Sequence, residues 1–280
     1  MNFNLAAMTR RAKNPRRDSI PIRDIRIPAT QASNLYQRTY RRIVETWEAA
    51  VPSIVAQYER DMSALTTDTA SDAIEDVDRG ILGLILQLRP ELTDWAIRLE
   101  SLVRQKWTAN VLSATSVDLT TMLGPEDVRQ TVQQAIDWNT NLIKDVSAQT
   151  RQRVGNAVFD GLRNRTPARD VAKAIREATG MARRRSLNIA AHQSSSLAGQ
   201  LAQERRRQAG LSVFMWIHSG KTNYRPEHKA RDGVMYSEDP AMVGKVVRGQ
   251  TVRAAPQSSD RASIPPWCGC RERAVLVLGD

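Results

Sequence analysis

Apolar residues recur at steps of three and four through most of the first half of the chain, the spacing of one face of a helix. From Ser33 to Met62 they fall at Leu35, Tyr36, Tyr40, Ile43, Val44, Trp47, Val51, Ile54, Val55 and Tyr58. Pro52 is expected to kink or divide this helix. The stretch Leu65–Ser71 supplies N-cap residues for a second helix from about Asp72 to Leu88. Arg89–Pro90 should break it, with Pro90 in the first turn of a third helix carrying Leu92, Trp95, Ala96, Leu99, Leu102, Val103, Trp107 and Val111. After Gly124–Pro125 a further helix is expected from Glu126 through Asp160. Thr166–Pro167 opens the next, which should end near Gly180; Arg183, Arg184 and Arg185 then open a longer helix that Arg205, Arg206 and Arg207 close before Gly210. Hydrophobic residues make up 41% of the chain but aromatic ones only 5%, so aliphatic helices rather than a β-sandwich core should dominate. Trp47, Trp95, Trp107 and Trp138 are expected to fill the helical core.

Charge divides the 280 residues into blocks. Residues 1–42 carry ten basic against two acidic side chains, residues 43–140 seven against sixteen, and residues 141–280 twenty-four against twelve. Such a pattern fits a protein that meets different partners at different ends. Met1 to Thr30 is basic and interrupted by Pro15, Pro21 and Pro28, which disfavour helix. It reads as an extended arm that buries no core alone and either stays mobile or lies along another surface. The longest apolar run, Gly80 to Leu88, is nine residues, far below the ~20 of a membrane helix. The basic N-terminus lacks the apolar stretch of a secretory signal. The two cysteines, Cys268 and Cys270, are one residue apart, too close for an unstrained disulfide, so a reduced, intracellular setting is the expectation.

The texture changes after Gly210. Ser212–His218 alternates, with Phe214, Trp216 and His218 on one face and Val213, Met215 and Ile217 on the other, as in a buried strand. Val243–Val252 suggests a hairpin around Arg248–Gly249, Pro265–Cys270 a compact turn, and Ala274–Leu278 a last strand that should pair with the first. This region has too few hydrophobic residues for a large core and needs the preceding helices or a metal to hold it.

Three motifs in order carry a resemblance: Trp216-x-His218-Ser219, then Arg225-Pro226-Glu227-His228 followed by Asp232-Gly233, then Pro265-Pro266-Trp267-Cys268-Gly269-Cys270-Arg271. Together with the upstream helices they resemble the C-terminal module of the phage Mu F-like head morphogenesis proteins, over roughly Asn141 to Leu278. The resemblance implies a mainly α fold, with an elongated helical N-terminal and central region and a small C-terminal α+β module. In these terms the chain reads as a basic extended arm (1–30), an acidic helical region (31–140), the basic helical part of the module (141–210) and its small α+β His/Cys part (211–280). It also implies a non-enzymatic minor head protein of a tailed phage, located in the virion and in host cytoplasm during assembly. Its partners would be portal, scaffold or major capsid protein, with packaged double-stranded DNA beside them and no membrane. Two positions depart from the family: Gln193 stands where a Glu is frequent, and Trp267 where a His often precedes the terminal Cys-x-Cys.

Two groups of residues are candidates for binding. His228, Cys268 and Cys270 are zinc-capable donors, with His218 as a fourth. The alternative has His228 hydrogen-bonded within its own turn and the cysteines packed as small hydrophobes. Arg183, Arg184, Arg185, Arg205, Arg206 and Arg207 are the candidates for nucleic-acid contact, against a reading as solvated helix ends. His192 reads as a surface or packing residue. Beside the head-protein reading stand a metal-dependent or nucleophilic hydrolase and a nonspecific DNA-binding module. No Gly-rich phosphate loop or paired catalytic carboxylates favour the enzyme.

Overall fold

The computed structural model describes residues 3–13, 17–65 and 68–278; Pro15, Thr66 and Thr67 lie outside them. Helix α1 (Leu5–Lys13) and the short strand β1 (Ser19–Pro21) are followed by α2 (Thr30–Leu35), which passes through one π turn (Tyr36–Tyr40) into α3 (Arg41–Ala64). Three long helices follow: α4 (Asp68–Thr115), α5 (Arg129–Asn164) and α6 (Ala168–Gln208). The C-terminal part holds β2 (Val213–Ile217), the short helix α7 (Pro226–Ala230), β3 (Met235–Ser237), β4 (Val246–Val247), β5 (Gln250–Thr251), β6 (Arg253–Ala254) and β7 (Arg271–Val277). The protein is thus mainly α with a small sheet-containing C-terminal region. Among the described residues no helix is long and apolar enough to cross a membrane.

The chain forms two compact units, each assembled from separated stretches. One consists of Thr30–Trp95 and Gln134–Ala191, the other of Ala96–Gln133, His192–Asp280 and the described part of Met1–Ala29. In the first, the periodic face of α2 and α3 is buried at Leu35, Tyr40, Ile43, Val44, Trp47, Val51, Ile54 and Tyr58. Its polar atoms find partners on the facing helices and on the loop between α5 and α6. Tyr40 Oη donates to Asn139 Oδ1 (2.9 Å), Trp47 Nε1 to Ser147 Oγ (3.2 Å) and Tyr58 Oη to the Thr166 carbonyl (2.6 Å). These bonds satisfy groups whose burial would otherwise be costly.

Two expected helix breaks are overridden. Pro90 lies inside α4, and the expected end at Gly180 lies inside α6. In α4 the buried series Ile81, Ile85, Leu88, Leu92 and Trp95 continues across Pro90 without a change of phase. Pro90 and Leu86, whose carbonyl loses its helical partner, are both exposed, so the break lies on the solvent side of the helix and does not interrupt the buried stripe. In α6, Ala178 and Ala182 remain buried on either side of Gly180, and a single helical glycine costs only about 1 kcal/mol relative to alanine. Pro52, likewise exposed, does not divide α3. Trp47, Trp95 and Trp107 are core residues as expected, whereas Trp138 is exposed. The spacing of α5 permits Trp138 on either face, and packing leaves it outside.

The basic N-terminal segment is also corrected. Part of it is helical, and its hydrophobic residues are core residues: Leu5 and Ile22 are fully buried and Ile25 nearly so. It does lie along another surface. Phe3 N donates to the Gln208 carbonyl (2.8 Å), Ile22 N to the Ala274 carbonyl (2.9 Å), and β1 pairs antiparallel with β7, Ile20 opposite Leu276. Lys106 Nζ and Asn110 Nδ2 on α4 donate to the carbonyls of Arg26 and Arg23.

The five-stranded sheet runs β1-β7-β2-β3-β6, and β4 and β5 form a separate hairpin around Arg248–Gly249. β2 pairs antiparallel with both β3 and β7, and β3 with β6 in parallel. The alternation read in β2 appears as two cores. Phe214 and Trp216 pack with Tyr236, Ala262, Cys268 and Cys270, while Val213 packs on the other face with Met235, Val247, Val252 and Val275.

Buried charge ties this sheet to its surroundings. Asp24 accepts from Arg271 (2.8 Å) and Arg273 (3.1 Å). Burial alone would raise its pKa, but the two guanidinium groups outweigh it and hold the carboxyl at about 2. Glu238, also partly buried, is held at about 2 by Arg207, Arg206 and Arg261. Both carboxyls therefore bind fewer protons in the folded state than in the unfolded chain at mildly acidic pH. Their stabilisation is complete above about pH 5 and is lost as pH falls towards 2. For Asp24 this amounts to on the order of 2 kcal/mol. The urea midpoint is expected to drop steeply from pH 5 to pH 3, and the drop should shrink in Asp24→Asn. An equal drop in that variant would remove Asp24 from the account.

Candidate functional site

The residues of the C-terminal motifs converge on one point of the second unit. Pro226, at the start of α7, presets the first helical φ, and this one-and-a-half-turn helix points His228 inward, where it is 2% exposed. The edge of its ring meets Trp216 of β2 (centroids 5.1 Å apart, 81° between planes). The turn after α7 closes at Gly233, which adopts φ +75°, and Asp232 Oδ1 accepts from His218 N (2.8 Å).

Cys268 and Cys270 approach from the other side. Two residues apart in an extended stretch, they place their sulfurs on the same side. His228 Nδ1 lies 3.5 Å from Cys268 Sγ and 3.9 Å from Cys270 Sγ. The position between them is tight: a Cβ at Gly269 would stand 2.9 Å from Lys221 Cε, the far end of a flexible side chain, and 3.1 Å from Ser219 Cβ. The preceding turn is clamped by cations: Lys221 Nζ donates to the Trp267 carbonyl (2.9 Å) and Arg225 Nη2 to the Pro266 carbonyl (3.1 Å). Ser263 Oγ donates to the Cys270 carbonyl (2.7 Å). Pairing of β2 with β7, Phe214 opposite Ala274, brings the two sides together.

Asp260 is the member that sequence reasoning missed. It sits on a short 3-10 turn, Ser258–Asp260, and a lone aspartate in a polar stretch carries no signal in the sequence. Its Oδ1 is 2.9 Å from His228 Nε2, and its Oδ2 accepts from Arg231 Nη2 (2.6 Å). Burial raises the Asp260 pKa, but Arg231 and His228 more than reverse this and leave it below the ordinary value. Arg231 in turn lies over the Trp216 ring, 5.0 Å from its centroid. The two thiols are unequal. A hydrogen bond from Cys270, joined by backbone donors, draws Cys268 well below the usual thiol range, and the same contact pushes Cys270 up.

Among the described residues, the donors gathered within 4.8 Å of one another are His228, Cys268 and Cys270. His218 is not one of them. Its Nδ1 accepts from Gly220 N, and its ring stands edge-on to Tyr224 at 5.4 Å. One residue past the end of β2, it follows the turn rather than the face that Trp216 presents. His192 packs against Trp267 (5.6 Å), and burial, with Lys221 and Arg225 nearby, lowers its pKa. This is the packing role expected for it.

Neither arginine triplet presents a single basic face. Arg205 and Arg206 are 1% exposed and face carboxylates inside the unit, which removes them as nucleic-acid contacts. Arg205 Nη2 is 2.8 Å from Glu100 Oε1, and Arg206 Nη2 is 3.0 Å from Glu238 Oε1. Arg207 is half exposed and paired with Glu238 (2.9 Å). In the other unit, Arg183 pairs with Glu48 (2.8 Å), Arg185 with Asp145 (2.6 Å), and Arg184 is exposed. Three consecutive helical residues point about 100° apart and span about 200° of the helix, so a sequence run of arginine cannot present one face.

A helical protein whose C-terminal end is a small sheet carrying a buried His/Cys/Cys cluster is the class that these features define. Residues 152–272 match the family model described as Phage Mu protein F like protein, and His228, Asp260, Cys268 and Cys270 all fall within the match. This C-terminal stretch is therefore similar to the Phage Mu F-like family. It is also 28% identical over 137 residues to an uncharacterized protein of Haemophilus influenzae (strain ATCC 51907 / DSM 11121 / KW20 / Rd). That match covers 48% of this chain and 31% of the relative, so the chain spans about a third of the relative's length. No solved structure matches.

Proposed function

We propose that the protein is a minor head protein of a tailed phage, acting in head morphogenesis near the portal through contacts with other head proteins. The observation that carries this reading is the Mu F-like match over 152–272, which takes in His228, Asp260, Cys268 and Cys270. Two features of the surface support protein partners over DNA. Most of the arginines first considered for DNA are occupied by carboxylates of the same chain. In the unit formed by Thr30–Trp95 and Gln134–Ala191, Leu82, Leu86, Trp138 and Phe159 are more than half exposed, the kind of apolar surface that a protein partner covers. The His/Cys cluster serves structure in this reading, since it is buried among the residues that close the sheet.

The test is to delete the gene from the phage that carries it and to follow a tagged copy through assembly. The expected results are defective or reduced heads in the deletion and tagged protein recovered in purified particles by mass spectrometry. Normal heads without the protein, and particles from which the tagged copy is absent, would overturn the proposal.

A further inference from the structure

We propose that His228, Cys268 and Cys270 hold a zinc ion, through His228 Nδ1 and the two Sγ atoms, with Asp260 fixing the imidazole for that task. Neither geometry nor chemistry here rests on the head-protein reading. On bonds of ~2.0–2.3 Å at tetrahedral angles, neighbouring nitrogen and sulfur donors stand about 3.6 Å apart. The observed separations of 3.5 and 3.9 Å from Nδ1 to the two sulfurs bracket that value.

The tautomer is set by the opposite side of the ring. Asp260 Oδ1 lies 2.9 Å from Nε2, and its other oxygen is held by Arg231, so Nε2 carries the proton and donates it to the carboxylate. The Nδ1 lone pair is then directed at the sulfurs. A carboxylate on the far nitrogen of a histidine is the usual outer partner of a metal-ligating imidazole, raising its basicity and locking its orientation.

Hydrogen bonding alone uses this arrangement poorly. One Nδ1 lone pair accepts one S–H, whereas a metal engages all three donors. Two thiolates also cancel the charge of Zn2+, which makes the complex neutral in a site whose donors are 2–5% exposed. On binding, the protons that the two sulfurs still carry leave to solvent and two Zn–S bonds and one Zn–N bond form; no electron is transferred. Three protein donors leave the fourth position to a water molecule, in place of the His218 that the sequence suggested. The ion would tie together the end of β2, α7 and the turn before β7, a region with little apolar area of its own.

The experiment uses the full chain, reduced and stripped with a chelator, then titrated with Co2+ as a spectroscopic stand-in for zinc. Thiolate-to-cobalt charge transfer and intense tetrahedral d–d bands are expected, saturating at one Co2+ per chain and abolished by excess Zn2+. Cys268→Ser and Cys270→Ser should each lose the charge-transfer intensity. Asp260→Asn should keep the spectrum but bind about 10–100-fold more weakly. Far-ultraviolet circular dichroism reports whether each protein keeps its helices. A chain with native helical signal that develops no such bands in excess Co2+ would overturn the zinc site. So would bands that persist in the Cys268→Ser/Cys270→Ser double variant. Unchanged affinity in Asp260→Asn would overturn the role given to Asp260.

Discussion

Arg205→Met should cost the protein about 3–5 kcal/mol, the usual penalty for removing one partner of a buried ion pair. Arg205 is 1% exposed, and its guanidinium reaches Glu100 Oε1 (2.8 Å), the Gly124 carbonyl (2.7 Å) and Gln208 Oε1 (2.9 Å). Without it, Glu100 is left, among the described residues, with Arg104, at 3.1 Å and partly exposed, against the cost of a buried charge. Arg207→Met, two residues on, should cost less than about 1 kcal/mol, because its pair with Glu238 is half in solvent. Glu100→Met combined with Arg205→Met should recover part of the loss, since the damage comes from the stranded carboxylate. Urea unfolding of the three proteins measures the contrast. Equal losses in Arg205→Met and Arg207→Met would show that both arginines are surface groups.

Removal of residues 1–29 should destabilise the unit containing the sheet by about 5 kcal/mol or more, judged from fully burying Leu5, Ile22 and Ile25 at about 1.5–3 kcal/mol each. The loss of Asp24 adds to this, because Arg271 and Arg273 both donate to it. β7 would also become an edge, its unpaired backbone groups open to association with other chains. Aggregation or a large fall in the thermal midpoint is the expected outcome. Ile22→Ala, which leaves β1 in place, should cost about 2–5 kcal/mol. A truncated protein with an unchanged midpoint would restore the reading of this segment as an arm.

Periodicity and alternation by themselves determined a good deal. The 3.6-residue spacing identified the helices of residues 33–208, because burial of one face is a local property of the sequence. The alternation of Ser212–His218 named both faces of β2, and the two cores that flank it follow that assignment. The motif residues His228, Cys268 and Cys270 could be singled out because few residue types ligate metals.

What tertiary structure decided is where local and global terms conflict or where no local term exists. Pro90 and Gly180 are breakers in isolation, yet each costs only a few kcal/mol, and a continuous buried stripe on either side outweighs them. The N-terminal segment has no period long enough to read; its place comes from β7, more than 250 residues away in sequence. Arg205 and Arg206 look like any cationic helix end until Glu100, Glu238 and Glu272 arrive from distant stretches to make burial tolerable. Asp260 and His218 make the same point within the site. A polar loop residue gained a role and a motif histidine lost one, because which side chain reaches His228 depends on how loops cross over the sheet. Spacing along the chain does not encode that crossing, which arises only when β2 and β7 pair.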